Sequence, residues 1–255
     1  MDWQIATQTH RGNVRKINED ALLVEKRYPL LAVADGMGGH EAGDVASRML
    51  VERLAGLDLA NHLQEAAAQL ESSIIDCNTL LIEYARQRFN GQTIGCTVVA
   101  MVVEDDRGAC LWAGDSRLYR ARDGSLHQLT RDHSYVADLV RAGQLSDEEA
   151  ANHPSSNVIT RAVGAAPELQ LDCEMFDVVE GDTFLLCSDG LYNEVGPQEL
   201  LAAMETTDIW QGSDHLLQLC LSRAARDNVT FVVARPANLG APDPDATLTF
   251  YPGSR

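Results

Sequence analysis

Four acidic segments, spread over most of the chain, each adjoin an apolar segment. They are Asn18-Glu19-Asp20, Asp35-Gly36 after residues 30–34, Asp189-Gly190 after residues 183–187, and Asp227 shortly before residues 231–233. Carboxylates at strand ends are the oxygen ligands that hard divalent cations prefer, and a neighbouring glycine lets the backbone approach closely. Because no single segment supplies enough ligands, the fold has to bring several strand ends together. The set predicts a two-ion site of the kind that hydrolyses phosphate esters.

The composition predicts a compact folded enzyme and argues against two classes of partner. The chain has 255 residues, enough for one large domain or two small ones, and 45% of them are hydrophobic. Its 20 Lys and Arg residues against 38 Asp and Glu residues give a net charge of −18. Nucleic acids and anionic membranes bind basic surfaces, so neither is expected as a partner.

The cysteines and the hydropathy pattern indicate a cytoplasmic protein. The six cysteines are scattered, mostly within apolar segments, and none forms a C-x-x-C pair. This pattern is typical of reduced, buried thiols rather than of disulfides or a zinc site. The start Met1-Asp2-Trp3-Gln4 does not resemble a signal peptide, and no apolar segment approaches the roughly 20 residues of a membrane span.

The periodicity predicts an α+β fold. Strand patterns fall at residues 3–9, 21–25, 30–34, 96–103, 109–113, 117–121, 125–129, 171–177, 183–187 and 231–234. Helical patterns begin at Asp44 and cover 60–88, 133–142, 146–152, 197–204 and 214–225. Because the helices are grouped and do not alternate with each strand, two antiparallel sheets sandwiched by helices are favoured over a Rossmann sheet. The proline-containing tail, residues 236–255, is expected to be loosely attached.

Two other phosphate-related motifs are excluded by their context. The segment Gly36-Met37-Gly38-Gly39-His40 lacks the Lys-Ser/Thr ending of a P-loop and does not complete a Gly-x-Gly-x-x-Gly pattern. Cys220 and Arg226 have the spacing of a cysteine phosphatase loop, but they follow a helical pattern without the glycines of an anion-binding nest.

Several charged side chains have both a functional and a structural interpretation. His40, His133 and His153 are candidates for proton transfer, although a lone histidine is more often a surface or capping residue. His40 is favoured because it lies five positions from Asp35. Arg15 precedes Glu19 by four positions, and its planar guanidinium could bind a phosphate; the alternative is a solvated surface charge.

Eight short motifs follow one another along the chain. They are Gly12-x-Val14-Arg15-x-x-Asn18-Glu19-Asp20, Val33-Ala34-Asp35-Gly36-Met37-Gly38-Gly39-His40-x-x-Gly43, Gly95-Cys96-Thr97, Ala113-Gly114-Asp115-Ser116-Arg117-x-Tyr119, Leu129-Thr130-x-Asp132-His133-Ser134, His153-Pro154, Cys187-Ser188-Asp189-Gly190-Leu191 and Asp227-Asn228-Val229-Thr230. In this order, they resemble the motifs of the metal-dependent type 2C (PPM) protein serine/threonine phosphatases in their compact bacterial form. The resemblance extends from about residue 2 to 235.

The resemblance implies a β-sandwich of two antiparallel sheets flanked by helix pairs, with two Mn²⁺ or Mg²⁺ ions in a cleft at one sheet edge. The family pattern implies that Asp35 bridges the ions, that Asp189 and Asp227 complete the first, and that the Gly36 carbonyl completes the second. It places Asp20 and Glu19 nearby, partly through bound water. It also implies a third, weakly held ion on Asp115 and Asp189.

The resemblance also implies hydrolysis of phosphoserine and phosphothreonine by a water held between the two ions, with Arg15 on the phosphate. Asp35, Asp189, Asp227 and His40 are the catalytic candidates. One departure concerns Met37, which replaces a histidine that acts as general acid in animal members, so the acid is either His40 or a metal-bound water. Residues from about 133 to 163 correspond to the mobile flap of bacterial members. The expected partners are phosphorylated proteins and a Ser/Thr kinase, and the expected state is a monomer.

Two other classes stay open from the sequence. A two-metal nuclease or small-molecule phosphoesterase would share these carboxylates, although the acidic composition disfavours polyanions. A non-catalytic interaction module of the same fold would normally have lost a ligand, and none of the acidic positions is missing.

Overall fold

The computed structural model describes residues 2–25, 29–38 and 42–237. Within them it has eleven strands: β1 (Asp2–His10), β2 (Asp20–Glu25), β3 (Leu30–Met37), β4 (Gly95–Cys96), β5 (Val98–Glu104), β6 (Arg107–Ala113), β7 (Arg117–Arg122), β8 (Ser125–Gln128), β9 (Asp172–Asp177), β10 (Thr183–Cys187) and β11 (Val229–Ala237). It also has seven helices: α1 (Gly43–Ala55), α2 (Leu63–Arg88), α3 (Tyr135–Arg141), α4 (Asp147–Ala151), α5 (Asp189–Tyr192), α6 (Pro197–Met204) and α7 (Ile209–Leu221).

The strands form two antiparallel sheets. One has the order β1-β11-β10-β7-β8, and the other has the order β2-β3-β5-β6-β9, with β4 paired to β3 beside that path. Helices α1 and α2 cover one sheet, and α6 and α7 cover the other. The predicted α+β sandwich is therefore confirmed.

Both faces of the central strands are buried, which explains their continuous apolar sequences. In β3, Leu31 and Val33 pack between the sheets against Phe184 of β10, whereas Leu30 and Ala32 pack against the α1–α2 layer. Three separate apolar cores result, one between the sheets and one beneath each helix pair. The sheets therefore provide a rigid support whose strand ends carry the acidic segments.

Three sequence-based boundaries need correction here. The predicted strand 96–103 is divided at Thr97 into β4 and β5, and α7 begins at Ile209 rather than at Asp214. Strand β11 continues to Ala237, beyond the predicted start of the tail at Pro236. Pro236 is tolerated because the paired residues of β10 end opposite Ala234, so no inter-strand bond from its nitrogen is needed on that side. Residues 238–255 lie outside the described residues.

The cysteine prediction is correct at five of six positions. All six cysteines are free, and five are buried, whereas Cys173 on the sheet-edge strand β9 is exposed. Cys220 lies on α7 with its thiol directed at the Gly190 carbonyl, 3.4 Å away, and not in an anion-binding loop. No helix in the described part of the chain has the length and apolar character to span a membrane.

Candidate metal centre

The first two acidic residues are paired across a β-hairpin. Asp20 opens β2 and lies opposite Asp35 near the end of β3. Burial raises the pKa of Asp20 to about 7, and the nearby Asp189 and Asp227 carboxylates act in the same direction. Burial also raises the pKa of Asp35 well above its ordinary value, as do four other carboxylates around it, those of Asp20, Asp189, Asp115 and Asp227. The hairpin therefore places two acidic side chains in one buried region.

Asp189 and Asp227 reach the same region from the second sheet. Asp189 is the first residue of α5, directly after β10, and Asp227 precedes β11 by two residues. Burial raises the pKa of Asp189 to about 6, and Asp227 adds to the rise, while a hydrogen bond with Asp35 favours its charged form. Carboxyl groups that share a hydrogen bond are close enough to share one divalent ion.

Asp115 joins the cluster from the turn that follows β6. Gly114, with φ of 109°, makes this turn, and a side chain there would clash with Thr97 at 2.6 Å. Burial raises the pKa of Asp115 to about 7, and the Asp189 carboxylate is the largest charge that contributes. The structure thus brings together five of the predicted acidic residues, namely Asp20, Asp35, Asp115, Asp189 and Asp227.

The cluster has the properties of a cation site. Oδ1 of Asp20 and Oδ1 of Asp189 are buried and have no hydrogen-bond partner among the described residues. Several mutually repelling carboxylates in one buried region need positive charge, and their donor atoms are hard oxygens. Within the described part of the chain, no three acidic, histidine or cysteine side chains converge closely enough to hold one ion by themselves. The donor set fits Mg²⁺ or Mn²⁺, which complete their coordination with carbonyl oxygens and water.

The backbone around Gly36 is packed too closely for any side chain. A Cβ at Gly36 would lie 2.2 Å from the Gly43 carbonyl oxygen and 2.4 Å from that of Glu19. The Gly36 amide donates to the Glu19 carbonyl at 3.1 Å. Gly43 donates to the Glu19 side chain, and the two glycines bring the start of α1 against the end of β3. Glu19 therefore lies at the rim of the cluster.

Arg15 is bound to the cluster through one of its acids. Its Nη2 donates to Asp227 Oδ2 at 2.7 Å, and its Nη1 lies 3.9 Å from Glu19 Oε2. Its side chain is 47% exposed, and the guanidinium has further donors besides the one bound to Asp227. Arg15 is therefore a partly exposed residue that contacts the acidic site, and its role in phosphate binding stays a prediction.

Small polar residues support the carboxylates; the sequence analysis names them within the motifs but gives them no role. Ser188 Oγ donates to Asp20 Oδ2 at 2.8 Å. Thr97 Oγ1 accepts from the Asp35 amide at 3.0 Å and bonds Ser116 Oγ at 2.7 Å. Asn228 accepts from the Glu19 amide at 2.8 Å and donates to the Arg11 and Ile17 carbonyls. Their only sequence signal is that each lies within a segment that also carries a glycine or an acidic residue of the site.

The candidate histidines have different positions. His40 lies outside the described residues. His153 is in residues 133–163, which we call the flap segment, where its Nδ1 accepts from the Ser155 amide at 3.1 Å. His133 is buried and stacks on Trp112 with ring centroids 6.1 Å apart.

His133 holds the turn that carries Asp115. Its Nδ1 accepts from the Gly114 amide at 3.2 Å, and its own amide donates to the Gly114 carbonyl at 2.9 Å. Its Nε2 lies 3.3 Å from Asp172 Oδ2, and Arg161 donates to the other oxygen of Asp172 at 2.7 Å. Burial lowers the pKa of His133, which favours the neutral ring, the form in which Nδ1 can accept from the Gly114 amide. His133 is thus a structural support rather than a proton-transfer group in contact with the carboxylates.

The comparison with known families agrees with this geometry. The family model for protein phosphatase 2C matches residues 7–216. The chain belongs to the protein phosphatase 2C family. The resemblance inferred from the ordered motifs is therefore confirmed.

Two curated relatives of this protein phosphatase 2C are bacterial. The chain is 36% identical over 229 residues to the serine/threonine protein phosphatase PstP of Mycobacterium tuberculosis, which covers 90% of this chain but only 44% of the relative. It therefore spans less than half the length of that curated relative. The serine/threonine phosphatase stp of Listeria monocytogenes is 35% identical over 236 residues, covering 89% of this chain and 93% of the relative.

Solved structures share the fold over most of the chain. PppA, a regulatory component of the T6SS in Pseudomonas aeruginosa, superimposes with a TM-score of 0.85 at 39% identity, covering 92% of this chain and 98% of the other. The catalytic domain of PstP in complex with two manganese ions has a TM-score of 0.83 at 34% identity, with the same coverage of both chains.

Proposed function

We propose that this protein phosphatase 2C hydrolyses phosphoserine and phosphothreonine on proteins with the help of Mn²⁺ or Mg²⁺. The observation that carries the proposal is the buried carboxylate cluster, in which Oδ1 of Asp20 and of Asp189 lack partners among the described residues. The two manganese ions in the related PstP catalytic domain support it. The names of the curated relatives support the substrate class.

The proposed ligands are those that the family resemblance implies, and the burial of their carboxylates around Asp35 supports the assignment. Asp35 lies among the other carboxylates and would contact both ions. Asp189 and Asp227 would close onto the first ion as it binds, since the three side chains do not by themselves converge on one ion among the described residues. The Gly36 carbonyl would serve the second ion, with Asp20 and Glu19 nearby, in part through water. A third ion would lie between Asp115 and Asp189. When bound, the ions supply an activated water and positive charge against the phosphoryl oxygens.

The chain's own residues would orient the substrate and keep the site organised. Arg15 has guanidinium donors beyond the one bound to Asp227, and these can bind phosphoryl oxygens in a planar, two-point contact. The Thr97–Ser116 pair holds Asp35 and the Asp115 turn in a fixed relation. We leave the general acid with His40 or with a bound water.

The remaining assignments are also proposals. We assign the catalytic domain to residues 2–235, with the flap segment inserted near the cleft and a C-terminal tail after it. We propose a monomer that acts in the cytoplasm of a bacterium, which the six free cysteines support, and that opposes a Ser/Thr kinase.

The test compares three substrates under one set of conditions. A phosphothreonine peptide, a single-stranded oligonucleotide and a sugar phosphate are each incubated with the protein and Mn²⁺, with excess chelator as the control. We expect turnover of the phosphopeptide alone, abolished by chelation and by Asp35→Asn. Preference for the oligonucleotide or the sugar phosphate would favour the phosphoesterase alternative, and no turnover of any substrate would favour a non-catalytic module.

A further inference from the structure

A groove of about 1310 Å³ leads away from the candidate metal centre. Its lining includes Asp115, Asp189 and Asn193 from the candidate metal centre and Cys173 and Glu174 of β9. It also includes apolar side chains, namely Trp112, Leu129, Val136 and Val140. The groove runs beneath the flap segment and is long enough to hold more than one substrate residue.

Strand β9 forms one wall of the groove and is an edge strand. Among the described strands, it pairs only with β6. The Val178 amide donates to the Asp106 carbonyl at 2.7 Å, so Val178 and Asp106 form a hydrogen-bonded pair. Hydrogen-bonded and non-bonded pairs alternate along an antiparallel ladder. Counted from Val178, the pairs Met175–Ala109 and Cys173–Leu111 are non-bonded. The backbone N–H and C=O groups of Met175 and Cys173 therefore face the free edge and can receive another strand.

The charge at the β9 end of the groove is acidic. Most charged groups along the groove are neutralised, because Arg117 pairs with Asp132, Arg141 with Asp138 and Arg161 with Asp172. Among the ion pairs of the described residues, neither Glu174 nor Arg131 takes part. Glu174 is exposed and lines the groove beside Cys173. One carboxylate without an ion-pair partner among the described residues therefore lies at the β9 end of the groove.

We propose that the groove binds the extended segment of the phosphoprotein beside its phosphorylated residue, as an added strand on β9, and that Glu174 selects a lysine or arginine in that segment. The proposal rests on the proposed phosphatase function. The groove is continuous with the metal centre, so a chain that enters the centre has to continue along it or leave the surface. Outside the metal centre, two charges in its lining are unpaired among the described residues. Of these, Glu174 is the one on β9, where the added strand would lie, so its carboxylate gives the sign of the preferred charge.

The register gives the position of the selected residue. Glu174 lies opposite Cys110 of β6, and Asp115 follows Cys110 by five positions, after the turn at Gly114. At about 3.3 Å per residue this path is at most roughly 17 Å long. An extended substrate therefore places its fourth to sixth residue from the phosphorylated position near Glu174.

The test uses phosphothreonine peptides with Lys or Glu at the fourth to sixth position on one side or the other. On one side of the phosphothreonine, we expect the Lys peptide to have a kcat/KM about 2- to 5-fold higher than the Glu peptide. This is the effect of a solvent-exposed ion pair. Glu174→Lys should invert this ratio, whereas Glu205→Lys, the same charge change on the far helix layer, should leave it unchanged. Para-nitrophenyl phosphate, which cannot reach β9, should be hydrolysed equally by all three proteins.

The proposed addition of the substrate as a strand on β9 is tested by changing the backbone of the substrate. Methylation of alternate amide nitrogens in the selected flank should lower kcat/KM by about 3- to 10-fold, whereas methylation in the other flank should not. Equal rates for Lys and Glu peptides on both sides would overturn the charge selection. A preference for Glu would assign the selection to Arg131 instead, and insensitivity to methylation would overturn the added strand. Failure of the proposed function would look different, because neither the peptides nor para-nitrophenyl phosphate would be hydrolysed.

Discussion

Nη2 of Arg15 donates to Oδ2 of Asp227 at 2.7 Å, although 212 residues separate the two positions. This bond joins the proposed phosphate-binding group to a proposed metal ligand. Binding of a cation to Asp227 would compete with the guanidinium for the carboxylate. We therefore infer that metal binding frees Arg15 for the phosphate, so the two halves of the site are coupled.

Replacing Arg15 tests its role in substrate binding. We expect Arg15→Ala to raise KM for a phosphopeptide by about 10- to 100-fold, because a hydrogen bond to a charged group contributes roughly 1.5–3 kcal/mol. Arg15→Lys should recover only part of this loss, since an ammonium cannot make the two-point contact. Steady-state kinetics at saturating Mn²⁺ measure the effect. An unchanged KM in Arg15→Ala would leave the residue with only a structural role beside Asp227.

Removing the metal should abolish activity and lower stability. Chelation takes away the charge that balances the carboxylates, and Asp35→Asn or Asp189→Asn should reduce kcat by at least about a hundredfold. A ligand at 100 times its Kd stabilises the folded state by about 2.7 kcal/mol, which corresponds to a rise in Tm of roughly 5–10 °C. Calorimetry with and without Mn²⁺ measures the shift. Full activity after exhaustive chelation would contradict the proposed metal centre.

The stability of the metal-free protein should fall as the pH rises. The pKa of Asp20 is about 7 in the folded protein, above the ordinary 3.8, so the folded state binds this proton more tightly than the unfolded state. The resulting stabilisation is full below pH 4 and is lost as the pH rises towards 7. Asp20→Asn cannot titrate, and its amide oxygen can still accept from Ser188.

The difference in Tm between Asp20→Asn and the unmodified protein isolates this effect from other titrations. In the presence of chelator, the Tm of Asp20→Asn should rise relative to that of the unmodified protein as the pH increases from 4 to 7. Mn²⁺ should reduce this difference, because the cation stabilises the carboxylate form. A difference that does not vary with pH would show that Asp20 is ionised throughout the range.

A pair of substitutions at His133 tests its support of the Asp115 turn. Asparagine can place an amide oxygen near the position of Nδ1 and keep the acceptor for the Gly114 amide, whereas glutamine extends its amide towards the position of Nε2. We expect His133→Gln to lose about 1–3 kcal/mol of stability and to lower kcat, and His133→Asn to lose less of both. Thermal unfolding measures the loss of stability in the two variants, and steady-state kinetics measure the loss of kcat. Equal effects would place the function of His133 at Asp172 or in its stacking on Trp112.

The elements predicted with the correct bounds have strong local signals. Strand β10 and helix α6 match their predicted ranges, because β10 is a short apolar segment and α6 has Pro197 at its start. Helix α7 was placed five residues too late at its start. Its N-terminal cap is Asp208, which accepts from the Trp210 and Gln211 amides, and this signal was missed in favour of Asp214.

The carboxylates of the site were predictable, but their supports were not. Aspartates at strand ends carry a recognisable pattern, since apolar strands fix where the chain emerges from the sheet. The bond between Arg15 and Asp227 and the two-way contact of His133 with Gly114 depend on the tertiary fold. Ser188 and Thr97 have no periodicity, so only the packed sheets show which atoms they contact.

Substitution of Asp115 separates the proposed third ion from the first two. Asp115 lies in the turn that follows β6, and the two charges that raise its pKa most are those of Asp189 and Asp132. An ion held by few protein ligands keeps most of its water and is bound weakly. We therefore expect Asp115→Ala to keep two bound ions and the fold while slowing phosphopeptide turnover markedly.

The alternative role of Asp115 is to fix the turn into Ser116 and Arg117. In that case its removal lowers Tm but leaves kcat per folded molecule unchanged. Metal stoichiometry, Tm and kcat are measured together on Asp115→Ala, with Asp132→Ala as a control for the loss of a carboxylate at the neighbouring Arg117 pair. Because His133 holds the same turn, Asp115→Ala combined with His133→Gln should cost little more kcat than Asp115→Ala alone, since coupled residues are not additive. If the losses of kcat in the two single variants multiplied in the double variant, His133 would affect kcat by a route other than the Asp115 turn.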